Sequence, residues 1–339
     1  MSMDRKDEII RLQMDVISQM TRSNLSRIAD DLWGMPTPAA PAEKPEAQAA
    51  QAEEPKAEAA QQEEKPESIE ELKQELAGYI GLDAVKQEVE TLINLVTVQK
   101  LRKENGLPVN DLSLHMVFSG NPGTGKTMIA RLMARIYKSL GILSKGQLVE
   151  VDRGGLVAGY VGQTAIKTAE VIEKAKGGVL FIDEAYALTT RGSNDYGQEA
   201  VDTLLKAMED NRDDLIVIVA GYTELMEDFV RSNPGLESRF NRFLHFPDYT
   251  IDEMMEIFDM RCSQSGYALS EDAKPILRDL IKLSSMDVRG FGNARGVRNL
   301  FERAMTAQAN RLAADPEITK EDLMTLTADD IRTLTPVTE

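Results

Sequence analysis

The residues of this 339-residue chain best equipped for chemistry are Gly120-Asn121-Pro122-Gly123-Thr124-Gly125-Lys126-Thr127, which satisfy the pattern G-x-x-x-x-G-K-[ST] at every position. A glycine-rich turn of this kind aims backbone N–H groups at an anion. Lys126 is expected to reach the β- and γ-phosphates of a nucleoside triphosphate, and the Thr127 hydroxyl to hold Mg²⁺. Asn121, Pro122, Gly123, Thr124 and Gly125 would line the phosphates. A second pair, Asp183-Glu184, supplies what such a site still lacks. Asp183 suits the metal side, and Glu184 suits a general base that orients and deprotonates water.

The surrounding residues have the periodicities needed to position these groups. An apolar stretch of strand length, 114–119, precedes the glycine turn. Behind it Ile129, Leu132, Met133, Ile136, Tyr137 and Leu140 recur at helical spacing. Strand, loop and helix in that order point the loop amides and a helix N-terminus at one anion. The apolar run 179–182 feeds straight into Asp183. In an open parallel sheet ligands bind beyond the carboxyl ends of the strands, so both motifs fall on one edge. Further strands are expected at 147–151, 215–220 and 242–246, with helices at 168–176 and 199–209. Such alternation indicates an α/β domain whose parallel sheet is covered on both faces. From 251 onward the pattern is helical (251–263, 271–284, 294–313), a small all-α domain.

The N-terminal part differs in character. Residues 1–34 read as an amphipathic helical segment, with Ile9, Leu12, Val16 and Met20 on one stripe. Residues 35–67 are Pro, Ala, Glu and Gln, a composition that cannot build a core and acts as a disordered tether. The folded body is expected to begin at Ser68, where Ser68-Ile69-Glu70-Glu71 has capping-box spacing. The expected division is therefore 1–34, 35–67, 68–248 and 249–339.

Composition narrows the function classes. The formal net charge is −17, with 56 Asp and Glu against 39 Lys and Arg, which argues against non-specific nucleic-acid binding. One cysteine, Cys262, and two histidines leave no disulfide framework and no Cys/His-rich metal site. Cys262 lies among apolar residues of an expected helix and reads as a small buried hydrophobe. No apolar run is long enough to span a membrane, and the N-terminus is charged from Asp4 onward. A cytoplasmic, soluble protein is expected.

These motifs, together with Ser238-Arg239-Phe240 and Asn293-Ala294-Arg295-Gly296, resemble those of the AAA+ ATPases. The resemblance is closest to the clade of the CbbX red-type Rubisco activases and SpoVK sporulation ATPases, and covers about 68–315. It implies a P-loop NTPase domain with an α-helical lid, a homo-oligomeric ring, by family habit a hexamer, and MgATP hydrolysis driving work on a protein client. It implies that Arg239 is an arginine finger, with Arg242 a helper, and that Arg295 is the sensor-2 arginine. Ile80 and Gly81 match the segment that packs around adenine. Tyr160-Val161-Gly162 matches an aromatic pore loop that grips extended polypeptide, and 191–198 a second pore-facing loop. At the sensor-1 position, where many relatives have Asn or Thr, this chain has Gly221-Tyr222-Thr223, leaving Tyr222 and Thr223 as alternative candidates. Three readings of the activity follow: a remodelling or threading motor, a red-type Rubisco activase, or a nucleotide-switched assembly scaffold.

Overall fold

The protein is described here by a computed structural model covering residues 67–109, 112–160, 162–189, 196–315 and 317–334. The expected N-terminal helices, nearly all of the tether, Val161 and most of the second pore-facing loop lie outside the described residues.

Helix α1 (Ile69–Gly78) starts where the capping box places it. Ser68 Oγ accepts from Glu71 N at 3.2 Å, and Glu71 Oε2 accepts from Ser68 N at 2.9 Å. Helix α2 (Asp83–Glu104) buries Val85, Val89, Leu92, Ile93 and Val96. The chain then enters a five-stranded parallel sheet: β1 (Met116–Ser119), β2 (Leu148–Val151), β3 (Val179–Ile182), β4 (Ile216–Gly221) and β5 (Arg242–His245), in the order β2-β3-β4-β1-β5. The central strands β1, β3 and β4 are buried along their whole length, which is why they read as continuous apolar runs rather than alternating ones.

Between the strands run α3 (Lys126–Ser139), the short α4 (Arg153–Leu156), α5 (Gln163–Ala175), α6 (Gly197–Asp210), α7 (Thr223–Arg231) and α8 (Pro234–Arg239). Helix α5 starts at Gln163, earlier than apolar spacing indicated, because Gly162 at φ 76 caps a polar first turn. One core lies on the sheet face covered by α1, α2 and α3 and continues into the C-terminal domain; a second lies under α5, α6 and α7.

The C-terminal domain comprises α9 (Ile251–Gln264), α10 (Ala273–Ser284), α11 (Val288–Phe291), α12 (Ala294–Ala313), α13 (Lys320–Met324) and α14 (Ala328–Arg332). It also contains a feature the helical periodicity concealed, a two-residue parallel pairing of β6 (Ala268–Leu269) with β7 (Thr325–Leu326). Cys262 is buried in its core, where desolvation pushes the thiol up to about 12. No helix of the described residues is long and apolar enough to cross a membrane.

His115, just ahead of β1, is buried and accepts from Val217 N through Nδ1 at 3.0 Å. Burial, with the nearby Arg239 charge second, pulls its pKa down to about 4. The neutral ring is thus the folded form, so its contribution is complete above the unfolded value near 6.5 and is lost as pH falls toward 4. Between pH 7.5 and 5 this group alone should cost about 2 kcal/mol of stability. Denaturation of His115→Asn, whose side-chain oxygen can accept the same bond, should show a smaller difference between those two pH values than the parent.

Candidate nucleotide site

The phosphate loop takes its shape from two close approaches. Gly120 has φ 147 and lies against the Phe246 carbonyl, while Gly123 has φ 72 and leaves no space for a Cβ beside the Gly292 carbonyl. Side chains are excluded at both points, by backbone from β5's exit and from the C-terminal domain respectively. Thr124 is buried and its hydroxyl donates to Asn121 O at 2.8 Å. Gly125, at φ 93, opens α3 and packs against Leu82 and Tyr249. Ile80 and Gly81 lie in the same neighbourhood, with Gly81 against Tyr249 and Glu253.

Lys126 Nζ folds back to donate to Gly120 O at 2.9 Å and Asn121 O at 2.7 Å. Burial lowers its pKa to about 8; Asp183 opposes this, Arg295 adds to it, and Asp248 and Glu184 oppose it. A desolvated ammonium ringed by groups from three elements is poised for a polyanion, which would restore its full charge.

Asp183 and Glu184 follow β3 beside the loop. Asp183 N donates to Val151 O at 2.9 Å, and Glu184 N to Asp183 Oδ1 at 3.0 Å. Glu184 has φ 49 and ψ 40, the left-handed region, and starts the 3₁₀ turn Ala185–Leu188. The Thr127 hydroxyl is bonded to Glu150 on β2, a carboxylate raised by burial, eased by Arg131 and raised again by Asp183. Arg131 Nη2 stands 3.7 Å from Glu150. Thr127 and Asp183 thus offer the oxygen donors that a hard cation prefers.

The third wall comes from the C-terminal domain. Asn293 is buried and has φ 53 and ψ −128. Its amide donates to Pro122 O at 3.2 Å and Asp248 Oδ1 at 2.8 Å, while its Oδ1 accepts from Tyr249 N at 3.0 Å. Asp248 also accepts both bonds from Asn121 Nδ2, at 3.0 and 2.9 Å, and Ala294 N donates to Gly123 O at 3.2 Å. Among the described residues, the non-glycine positions with positive φ are Leu82, Glu184 and Asn293, and all three border this site. Strain of this kind persists only where surrounding contacts over-determine it. Sequence reading quoted Asn293 without assigning it a task and passed over Asp248 and Glu150; none of the three belongs to a spacing pattern.

Arg295 is exposed at the start of α12 and close enough for its charge to act on Lys126. Arg239 is not part of the cluster. It ends α8 ahead of β5, whose first residue pairs with Met116, whereas the phosphate loop leaves from Ser119 at the other end of β1. There Arg239 Nη2 meets Glu209 at 3.2 Å. Arg242 Nε donates to Ser113 O at 3.0 Å, at the same far end. Thr223 lines a small cleft with Gly120, Asn121, His245, Phe246 and Asp248, while Tyr222 packs its ring on Tyr186 at 6.2 Å. Tyr160 is 73% exposed, and Gly162 follows it at the start of α5.

A phosphate loop at the carboxyl edge of a parallel sheet, beside an Asp-Glu pair and closed by a helical domain, defines a P-loop nucleoside triphosphatase with a lid. Residues 116–248 match the ATPase family associated with various cellular activities (AAA), and residues 250–337 match the AAA lid domain. Stage V sporulation protein K of Bacillus subtilis (strain 168) is 41% identical over 266 residues, covering 78% of this chain and 82% of that protein. Protein CbbX of Cereibacter sphaeroides is 45% identical, covering 78% and 86%. The chloroplastic ribulose bisphosphate carboxylase/oxygenase activase of Cyanidioschyzon merolae (strain NIES-3377 / 10D) is 44% identical, covering 78% and 90%. The AAA domain of FIGL-1 in complex with ADP matches with a TM-score of 0.55 over 78% of this chain and 85% of that one, at 19% identity, a likeness of fold. The chain belongs to the AAA ATPase family, and it is an ATP-hydrolysing motor of the group that includes these sporulation and Rubisco-activase relatives.

Replacing Asn293 by Asp would set a second carboxylate against Asp248 and remove both amide donors. The expected cost is about 2–4 kcal/mol of stability, with nucleotide affinity at least tenfold weaker. Chemical denaturation and titration with a fluorescent ATP analogue would measure the two.

Proposed function

We propose that the protein works as a ring, a hexamer by the habit of its family, in which ATP bound at one subunit is hydrolysed with help from its neighbour to pull on a protein client. The observation that carries this reading is the position of Arg239, at the end of the sheet opposite its own phosphate loop. An arginine so placed serves a nucleotide held by another copy, where it can stabilise charge spreading over the γ-phosphoryl oxygens.

Within each subunit, Asn121 to Gly125 cradle the phosphates through backbone N–H groups, and Lys126 neutralises the β- and γ-oxygens. Thr127 and Asp183 would hold Mg²⁺, which supplies charge neutralisation at the β- and γ-phosphates when bound. Glu184 takes the proton of the attacking water. Arg295 contacts the phosphates from the lid, so that loss of the γ-phosphate changes the lid angle. Ile80 and Gly81 border the base, and Tyr222 and Thr223 lie at the end of β4 beside the water's approach. The large domain spans 68–248 and the lid 249–339, with residues 1–34 and the tether 35–67 recruiting the client in the cytoplasm. Tyr160, with Val161 and Gly162, forms the client grip, an aromatic on a loop that contacts extended peptide without sequence preference. The similarity to the Cyanidioschyzon merolae activase and to CbbX supports a second reading, in which the client is inhibited Rubisco.

Complementation separates a shared site from a self-contained one. Glu184→Gln should bind ATP without turning it over, and Arg239→Ala should be nearly inactive alone. Mixing the two should restore part of the ATPase rate, because some interfaces then pair an intact Glu184 with an intact Arg239. No recovery on mixing would contradict the trans role. Tyr160→Ala should keep ATP hydrolysis and abolish client remodelling; retention of both would favour the assembly scaffold. Stimulation of wild-type ATPase by inhibited Rubisco and ribulose bisphosphate would select the activase reading.

A further inference from the structure

The end of β4, where a polar side chain was sought beside the hydrolytic water, is a glycine whose space is filled from the neighbouring strand. A Cβ on Gly221 would lie 2.8 Å from Tyr186 Cδ1, 2.9 Å from Tyr186 Cε1 and 2.8 Å from Met226 Sδ. The strand end therefore carries no side chain because the Tyr186 ring covers it.

Tyr186 reaches that position from the turn that carries Glu184. β3 is level with β4, with Ile182 opposite Val219, so the Asp183-Glu184 turn falls beside Gly221. The turn is closed by Ala187 N donating to Glu184 O at 2.8 Å and Thr189 N donating to Tyr186 O at 3.1 Å. The Tyr186 hydroxyl donates to the Glu184 carboxylate, and its ring is held from the other side by Tyr222 at 6.2 Å. Thr223 faces the cleft toward β1 and β5, away from this pair.

We propose that Tyr186 is the positioning residue for water activation, its phenol holding one Glu184 carboxylate oxygen so that the other faces the attacking water. It does at the β3 turn what a polar residue on the end of β4 would otherwise do. This role rests on Glu184 being the base. The direction of the bond is fixed across the working pH range, since burial, followed by the charges of Glu184, Tyr222 and Asp183, pushes the phenol up to about 12. A hydroxyl that stays protonated is a permanent donor, and a carboxylate bonded in this way has one free oxygen in one orientation. The left-handed backbone at Glu184 makes the base and its holder neighbours on a single tight turn.

Tyr186→Phe is the informative variant because it keeps the ring over Gly221 and removes only the hydroxyl. The full-length protein carrying it should melt as the parent does and bind a fluorescent ATP analogue with unchanged affinity. Its kcat should fall roughly tenfold or more with KM little altered, the signature of an interaction used in the transition state. The acid limb of kcat against pH should move upward, since loss of a bond to the charged carboxylate raises its pKa. In the Glu184→Gln background the same change should have no further effect on residual turnover. A wild-type kcat and an unmoved acid limb in Tyr186→Phe would overturn the proposal. If Glu184→Gln is inactive while Tyr186→Phe is not, the base assignment stands and the phenol's role alone is lost; an active Glu184→Gln removes both.

Discussion

The contact on which the rest of the molecule depends is the one between the phosphate loop's own backbone and the lid. Pro122 O and Gly123 O, carbonyls of the loop that is to hold phosphates, are satisfied by Asn293 and Ala294 of the lid. Asn121, on the same loop, and Asn293 share the Asp248 carboxylate at the junction of the two domains. Buried polar groups of this kind cost several kcal/mol when left unpaired. The loop therefore cannot change shape without the lid responding, and the lid cannot rotate without exposing the loop's carbonyls. Coupling between nucleotide and lid angle requires no long pathway here, because both are ends of one hydrogen-bonded cluster.

Strain is placed with the same economy. Leu82 touches Gly125 at the head of α3, Glu184 carries the base, and Asn293 ties down the lid; these are the left-handed non-glycine residues of the described chain. Each costs on the order of 1–3 kcal/mol relative to a relaxed backbone. That cost is borne around one ligand site, while the strands supporting it are buried in ordinary extended geometry. The sheet acts as the rigid frame, and the strained turns at its carboxyl edge set the directions of the functional groups.

Much of this architecture could be read from the amino acids because local rules and tertiary demands coincide. Central strands buried on both faces appear as unbroken apolar runs, and 179–182 and α12 (Ala294–Ala313) fall where periodicity puts them. The capping box at Ser68 predicts the start of α1 because both of its bonds are local. The hub at Asn293 has no such signature: its partners lie 45 and 171 residues away, so it exists only once the domains meet. β6 and β7 are two residues each, too short to show any period. Gly221 was misleading for the opposite reason. Its missing side chain pointed the search to Tyr222 and Thr223, while the group that fills the space belongs to the preceding strand's exit.

The parallel sheet also determines how copies of the chain must relate. The strands deliver two sets of groups at opposite ends: Lys126, Asp183 and Glu184 beyond the carboxyl ends, and Arg239 and Arg242 ahead of the start of β5. β1, β4 and β5 are hydrogen-bonded neighbours, so the distance between the two ends is as fixed as the sheet itself. One subunit cannot bring both sets onto one nucleotide, because closing that gap would mean breaking the ladder that holds β1 beside β5. Two subunits can, by setting the entry end of one sheet against the carboxyl end of the next. A head-to-tail contact of that form repeats around an axis and closes into a ring without further devices. In such a ring each lid, tied to its loop through Asn293, would pass a change at one nucleotide to the sheet supplying the arginine for another.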